Sequence, residues 1–267
     1  MTMNEIVIFL ENEPLLLISL CALTGYLTGS ISFARIVYFS VTKNKEIDFY
    51  SEPVKNSDEK FDTDFVSATL VNKRVGAKYG CITSIADILK VAIPMLAVKM
   101  IFKTEPYYLI VPVFGMIGHY LPVYYNFIGG RGETIMLGSM FVVNWFGTLL
   151  VNVVSTILGF ITGSVVVMRY TGYYLMIFWL WHYFHDYRYA VFMFLMNLLF
   201  VYSMRKEIAR IIELRKIGLM KMTGEELSES MFMGKGIGRA IDRYSLPALY
   251  TKLKNRTGQN STGENKS

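Results

Sequence analysis

The residues best suited to chemistry gather in one stretch, Gly118-His119 followed by Phe127-Ile128-Gly129-Gly130-Arg131-Gly132-Glu133-Thr134. Three glycines in four residues let a backbone approach a ligand closely and turn its amides inward. A helix that starts just after them offers unpaired N–H groups and a positive dipole end to an anion. Arg131 adds a planar fork of donors matched to phosphate. His119 brings an imidazole that can accept or donate a proton near neutral pH. Gly129, Gly130, Arg131, Gly132 and Thr134 therefore read as a phosphate site with His119 beside it. The plain alternative is a tight interhelical turn that merely needs glycine.

Two further groups carry polar residues in apolar surroundings. Ser67-Ala68-Thr69-Leu70-Val71-Asn72-Lys73-Arg74 precedes Asp87-Ile88-Leu89-Lys90. Asp87 and Lys90, three apart, share a helix face and can neutralise one another within a membrane. They are either a structural ion pair or substrate ligands. Lys73 and Arg74 are either solvated loop cations or anion ligands opposite Arg131. Gly29-Ser30-Ile31-Ser32 closes the first apolar run, where a Gly-Ser pair suits close helix packing. His182, His185 and Asp186 supply too few ligands for a metal site, and no cofactor is expected.

The elements that must hold these groups are membrane helices. Of 267 residues, 53% are hydrophobic and 18% charged, against about 25% charged in soluble domains. Pro14 to Ala34 and Thr134 to Met168 carry no charge, and either is long enough to cross a hydrocarbon core of about 30 Å. This excludes a soluble enzyme, a nucleic-acid module and a secreted disulfide scaffold. Cys21 and Cys81 are both expected as reduced core residues. The N-terminus carries Glu5, Glu11 and Glu13 in place of a basic region, so the first run reads as a retained span and not a signal peptide.

The pattern predicts an all-α, polytopic protein with about seven spans, near 14–40, 81–102, 107–127, 134–145, 147–168, 170–185 and 189–204. Residues 1–215 form the membrane domain, and 216–267 form a basic tail ending in a disordered stretch, 254–267. Lys and Arg fix the orientation. With the N-terminus outside, the inner face holds seven cations in the 43–80 loop, Arg131, Arg169 and thirteen after residue 204, against Lys103 and Arg188 outside. The C-terminus and the glycine stretch are then cytoplasmic. The net charge of +6 is read as attraction to anionic lipid heads, with no nucleic-acid partner.

On these residues the sequence resembles the bacterial acyl-phosphate:glycerol-3-phosphate acyltransferases (the PlsY type). The resemblance rests on Gly29-Ser30-Ile31, Ala68-Thr69, Val71, Gly76, Gly80, Asp87-Ile88-Leu89-Lys90 and Pro94. It continues through Gly118-His119, Pro122, Phe127, Gly129-Gly130-Arg131-Gly132 and Thr134, and covers roughly residues 20–215. It implies transfer of a fatty acyl group from acyl phosphate to the 1-hydroxyl of glycerol 3-phosphate, giving lysophosphatidate in phospholipid synthesis. It implies an enzyme of the cell membrane whose partners are those two substrates and membrane lipids. His119 and Ser30 match at the reacting centre. Thr69, Lys73, Arg74, Asp87, Lys90, Gly129, Gly130, Arg131, Gly132 and Thr134 match as substrate-binding positions.

The chain departs from the family at Leu70, Asn126, Ile128, Gly172 (in place of a loop serine) and Met204, the start of Met204-Arg205-Lys206-Glu207-Ile208. Two rival readings are a small-anion or lipid transporter using the same basic pocket, and an inactive relative serving as a membrane scaffold.

Overall fold

The computed structural model describes residues 2–44, 46–49, 51–53, 60–62, 65–216 and 235–263. Among them the fold is helical apart from a two-stranded antiparallel ribbon, Ser51–Pro53 with Lys60–Asp62. Helix α1 (Met3–Asn12) opens on a capping box between Thr2 and Glu5. Helix α2 (Pro14–Ser30) starts with proline in its first turn and is followed, after a break at Ile31-Ser32, by α3 (Phe33–Thr42). The Ser32 side chain caps α3 through the amide of Arg35. Then come α4 (Ala68–Val75), α5 (Ala77–Ile101), α6 (Ile110–Tyr120), α7 (Glu133–Thr162), α8 (Val165–Phe184), α9 (Tyr187–Ser203) and α10 (Arg205–Lys216). Helices α11 (Lys235–Tyr244) and α12 (Leu246–Gly263) complete the described chain.

Three of these elements are long and apolar enough to cross a membrane: Pro14–Thr42, Ala77–Ile101 and Glu133–Thr162, with Tyr187–Ser203 a shorter apolar helix. The element boundaries differ from those the hydropathy pattern predicts. The 107–127 stretch holds an 11-residue helix, α6, between single 3-10 turns at Tyr107–Leu109 and Val123–Tyr125. At 1.5 Å per residue α6 spans only about 16 Å. The fourth and fifth expected spans run together as α7, interrupted by a non-helical Asn144. Arg169, expected in a loop, lies in α8, because the turn comes earlier at Gly163-Ser164. Gly163 takes the left-handed backbone (φ +68°) that ends α7, and the Ser164 amide reaches back to the Gly159 carbonyl.

The described residues form two compact units: one from residues up to 145 plus 180 through α10, the other from 146–179 with α11 and α12. In the first, α2 and α6 pack most closely. A Cβ on Gly25 or Gly29 would overlap the carbonyls of Val111 or Gly115, and one on Gly118 would overlap that of Tyr26. The backbones therefore touch directly, as small residues allow in membrane helices. A neighbouring core joins Ala34, Tyr38, Val66, Leu70 and Val71. Cys21 is buried in α2, but Cys81 is exposed. It stands on the outward side of α5 with Ile82 and Ile85, so only Cys21 is a core residue.

In the second unit Ser155 is fully buried. Its hydroxyl lies 3.0 Å and 2.8 Å from the Val167 and Met168 carbonyls and accepts from the Gly172 amide. Val165, Met168 and Ile241 form the core there. In the tail, α12 runs through Gly263, so the first ten residues of the stretch expected to be disordered are helical. Pro247 in the first turn and apolar residues at 246, 249, 250 and 253 favour that helix. Residues 264–267 lie outside the described ones.

Candidate functional site

The site is built where two helices of the first unit are interrupted beside α5. The break after Ser30 leaves the Ile31 carbonyl without a helical partner, and Lys90 Nζ donates to it at 2.6 Å. Asp87 and Lys90 form the ion pair their spacing predicts, at 2.8 Å, with both side chains almost wholly buried. The third neighbour of Lys90 Nζ is His119 Nδ1, at 2.9 Å. An ammonium has no lone pair, so Nδ1 must accept this bond, and the ring proton of a neutral imidazole then resides on Nε2. Nε2 faces the glycine loop, for a Cβ on Gly130 would collide with it. Lys90 thereby fixes which edge of His119 meets a ligand.

Lys99 repeats the device nine residues, about two and a half turns, further along α5. Its Nζ donates to the Val142 carbonyl at 2.7 Å, two residues before the interruption at Asn144. Backbone groups freed inside a membrane must find partners within the protein. Two lysines of α5 supply them.

The loop itself is held from four sides. The Gly130 amide donates to the His119 carbonyl at 3.0 Å, and the Val66 amide to the Gly129 carbonyl at 3.1 Å. Arg35 donates to the Ile128 carbonyl at 2.9 Å and lies over the Tyr125 ring at 5.0 Å. Ser203 Oγ donates to the Arg131 carbonyl at 2.7 Å. Asn126 and Phe127 take left-handed backbone (φ +50° and +59°) with no glycine, and Gly132 does so at +84°. The Met136 amide bonds the Gly132 carbonyl at 3.0 Å, so α7 starts directly after the loop. Its first-turn amides have no intrahelical acceptors and point out of the helix end. Thr134 lies half-buried in that turn.

Arg131 pairs with Glu207 of α10 at 2.5 Å and covers the Phe65 ring at 5.5 Å. Its Nε, like that of Arg35, is buried without a hydrogen-bond partner among the described residues. Glu207 and Arg35 are site residues that spacing did not single out. Glu207 carried a signal only through the motif Met204-Arg205-Lys206-Glu207-Ile208. Arg35 looked like an ordinary cation near a span end.

Several expected neighbours are not where the sequence suggested. The cation beside His119 is Lys90. Arg74 is occupied by the 48–49 segment: Nε donates to the Asp48 carbonyl at 3.0 Å, and a terminal nitrogen meets Asp48 Oδ1 at 3.0 Å and the Phe49 carbonyl at 2.5 Å. That explains its charge without an anion opposite Arg131. Lys73 is exposed and Thr69 half-buried on α4. Ser30 is fully buried, donates to the Tyr26 carbonyl at 2.7 Å and accepts from the Val123 amide at 3.4 Å. Gly172 lies inside α8, not in a loop, and its amide bonds Ser155. Leu70, where the family resemblance expects asparagine, is a fully buried core residue.

His182 and His185 stack edge to face at 5.9 Å. Asp186 caps α9 and pairs with Arg188, which also meets Glu105. Side-chain and backbone bonds from Arg188 hold the Asp186 carboxyl below the usual carboxylate range. Among the described residues no group of three His, Cys, Asp or Glu could hold a metal.

Fold and site together define a helical membrane protein that sets a glycine-and-arginine loop above a buried lysine–histidine pair. Known proteins narrow this class. The sequence profile of the glycerol-3-phosphate acyltransferase family matches residues 19–214, and the chain belongs to that family. It is 31% identical over 197 residues to a glycerol-3-phosphate acyltransferase of Endomicrobium trichonymphae, covering 70% of this chain and 88% of that one. To the enzyme so named in Mycoplasma mycoides subsp. mycoides SC it is 34% identical over 133 residues, covering 48% of this chain and 47% of the relative. The chain thus spans about half the length of the Mycoplasma relative it matches. Crystal structures of PlsY, an integral membrane glycerol 3-phosphate acyltransferase, share the fold. Its glycerol 3-phosphate form aligns with a TM-score of 0.57 at 22% identity, over 74% of this chain and 93% of that one. Its lysophosphatidic acid form aligns with a TM-score of 0.58 at 23% identity.

Proposed function

We propose that the protein transfers a fatty acyl group from acyl phosphate to the 1-hydroxyl of glycerol 3-phosphate, giving lysophosphatidate and inorganic phosphate. The observation that carries this reading is the His119 edge turned toward the glycine loop by Lys90, in a chain of this family. The hydroxyl oxygen attacks the acyl carbonyl carbon and forms the new ester bond. The carbon–oxygen bond to phosphate breaks, and phosphate departs with the electron pair. Phosphate leaves readily, so no covalent protein intermediate is required, and the proton lost by the hydroxyl ends on the departing phosphate. The protein's share is positioning and charge stabilisation. Loop amides, the start of α7 and the orphaned Arg131 Nε hold phosphate oxygens, while His119 Nε2–H donates a further hydrogen bond. Lys90 both orients that ring and places a positive charge behind it.

In the same proposal the chain crosses the cell membrane seven times, the parts of α7 before and after Asn144 counting as separate spans. Its N-terminus is outside, and its loop and C-terminus face the cytoplasm. The asymmetry of Lys and Arg supports this orientation. Purified protein incubated with acyl phosphate and radiolabelled glycerol 3-phosphate should yield labelled lysophosphatidate, and an acyl thioester donor should yield none. Product only from the thioester would overturn the donor assignment. No ester from either donor, in folded protein, would leave transport or a scaffold role.

A further inference from the structure

Beyond the residues matched by the family lies a feature the acyltransferase reading does not use. Helix α11 carries an apolar stripe, Ile237, Ala240, Ile241 and Tyr244, and docks through its centre: Ile241 is fully buried against Val165 and Met168, while Ile237 and Tyr244 are 38% and 58% exposed. Helix α12 repeats the same spacing with Leu246, Leu249, Tyr250 and Leu253, but these are 58%, 39%, 69% and 62% exposed. At about 100° per residue the four lie on one stripe roughly 100° wide. Lys252 and Lys254 fall on opposite flanks of it, each about a quarter-turn from its centre. Thr251 stands on the far side and donates its hydroxyl to the Pro247 carbonyl at 2.9 Å.

The place of this helix is set by its first residues. The corner between α11 and α12 rests on the turn that ends α7: a Cβ on Gly163 would stand 3.2 Å from Ser245 Oγ and 3.3 Å from Pro247 Cγ. The part of α7 after Asn144, 18 residues to Thr162, is about 27 Å of apolar helix, close to the thickness of a hydrocarbon core. The turn at its end must therefore emerge at a membrane face, and α12 starts there. From Arg239 to Lys254 the sequence has four cations and one acid, Asp242.

We propose that α12 is an interfacial helix, lying in the headgroup layer of an anionic bilayer on its Leu246–Leu249–Tyr250–Leu253 stripe. An apolar stripe flanked by lysines matches that boundary on both counts, since acyl chains take the stripe and lysine stems reach up to lipid phosphates. A protein partner would need apolar complement in the middle and acids at both edges; a bilayer containing anionic lipid offers both without further design.

The test uses the full chain in nanodiscs, with Cys21→Ala and Cys81→Ser as background and a nitroxide on Tyr250→Cys, Leu253→Cys or Thr251→Cys. In phosphatidylcholine with about a third phosphatidylglycerol, labels at 250 and 253 should be relaxed by oxygen more than by a nickel chelate, at a depth of about 5–10 Å. The label at 251 should favour the chelate. Removing the anionic lipid, or introducing Lys252→Gln and Lys254→Gln, should lower the ratio of immersed to free helix by about fivefold per charge. Equal exposure of all three labels to the chelate would overturn the proposal. So would protection of 250 and 253 from both reagents, which marks a protein cover.

Discussion

At the residue scale, His119 is a ring with one edge already committed. Nδ1 accepts from Lys90 at 2.9 Å, and only Nε2 remains for the substrate of the proposed reaction. A histidine held in that tautomer donates, and to act as a base at Nε2 it would first have to lose the Lys90 bond. His119→Gln, which can place an amide N–H near the Nε2 position, should therefore keep at least tenfold more activity than His119→Ala. General-base loss would instead cost about 10²- to 10⁴-fold in both. Equal, near-complete loss in two folded variants would make His119 the proton acceptor.

Arg131 has two partners to satisfy, Glu207 and, in the proposal, phosphate. Arg131→Gln should raise KM for glycerol 3-phosphate by about 10- to 150-fold, the value of a charge-assisted hydrogen bond. Glu207→Gln keeps the arginine and should lower thermal stability with a much smaller change in KM. Matching KM changes in the two variants would mean that the pair serves only to tie the loop to α10.

At the element scale, α2 and α6 are joined backbone to backbone, and that seam fixes where Ile31 presents its carbonyl to Lys90. Gly29→Leu has no room beside Gly115 and should destabilise by at least the 1–3 kcal/mol typical of overpacking. Gly172→Ser is the control: its Cβ would meet Val151 and Ser155 at ordinary contact distances of 3.4–3.5 Å and should leave the thermal midpoint within a few degrees. Comparable losses in the two variants would discredit the seam as the special contact.

These elements also mark how far the sequence could be read. The Asp87–Lys90 pair and the glycine loop at the start of α7 were legible because each depends on neighbours a few residues apart. The Lys90–His119 bond was not, since it joins residues 29 apart across two helices, and nothing in either segment records the other. Hydropathy likewise located apolar stretches but not their interruptions. The break at Ile31 and the non-helical Asn144 carry neither proline nor a charge run, and are tolerated only because distant lysines receive the freed carbonyls. Leu70 stands where the family resemblance expects a polar asparagine; only packing places it in a core.

At the scale of the whole molecule, the exposed surface is itself apolar along the long helices, with Ile93, Met100, Trp145, Val153, Ile157, Phe178 and Trp181 all more than half exposed. Such a surface is stable only in lipid. The proposed orientation follows from the cations at its edges, and thiol accessibility in intact cells checks it. On a Cys81→Ser background, Lys103→Cys should react with an impermeant maleimide added outside, and Lys78→Cys should react only after the membrane is opened. Outside labelling at 78 would invert the topology and move the glycine loop to the other face.

The left-handed pair Asn126 and Phe127 bears on how this protein can change over generations. A residue with a Cβ at positive φ costs of order 1–3 kcal/mol, least for asparagine and aspartate and most for β-branched residues, so the backbone shape does not select phenylalanine. The ring is 56% exposed, and aromatic rings accumulate at the level of lipid headgroups. What favours an aromatic ring here is therefore the bilayer in which the protein lives and not the backbone beneath it.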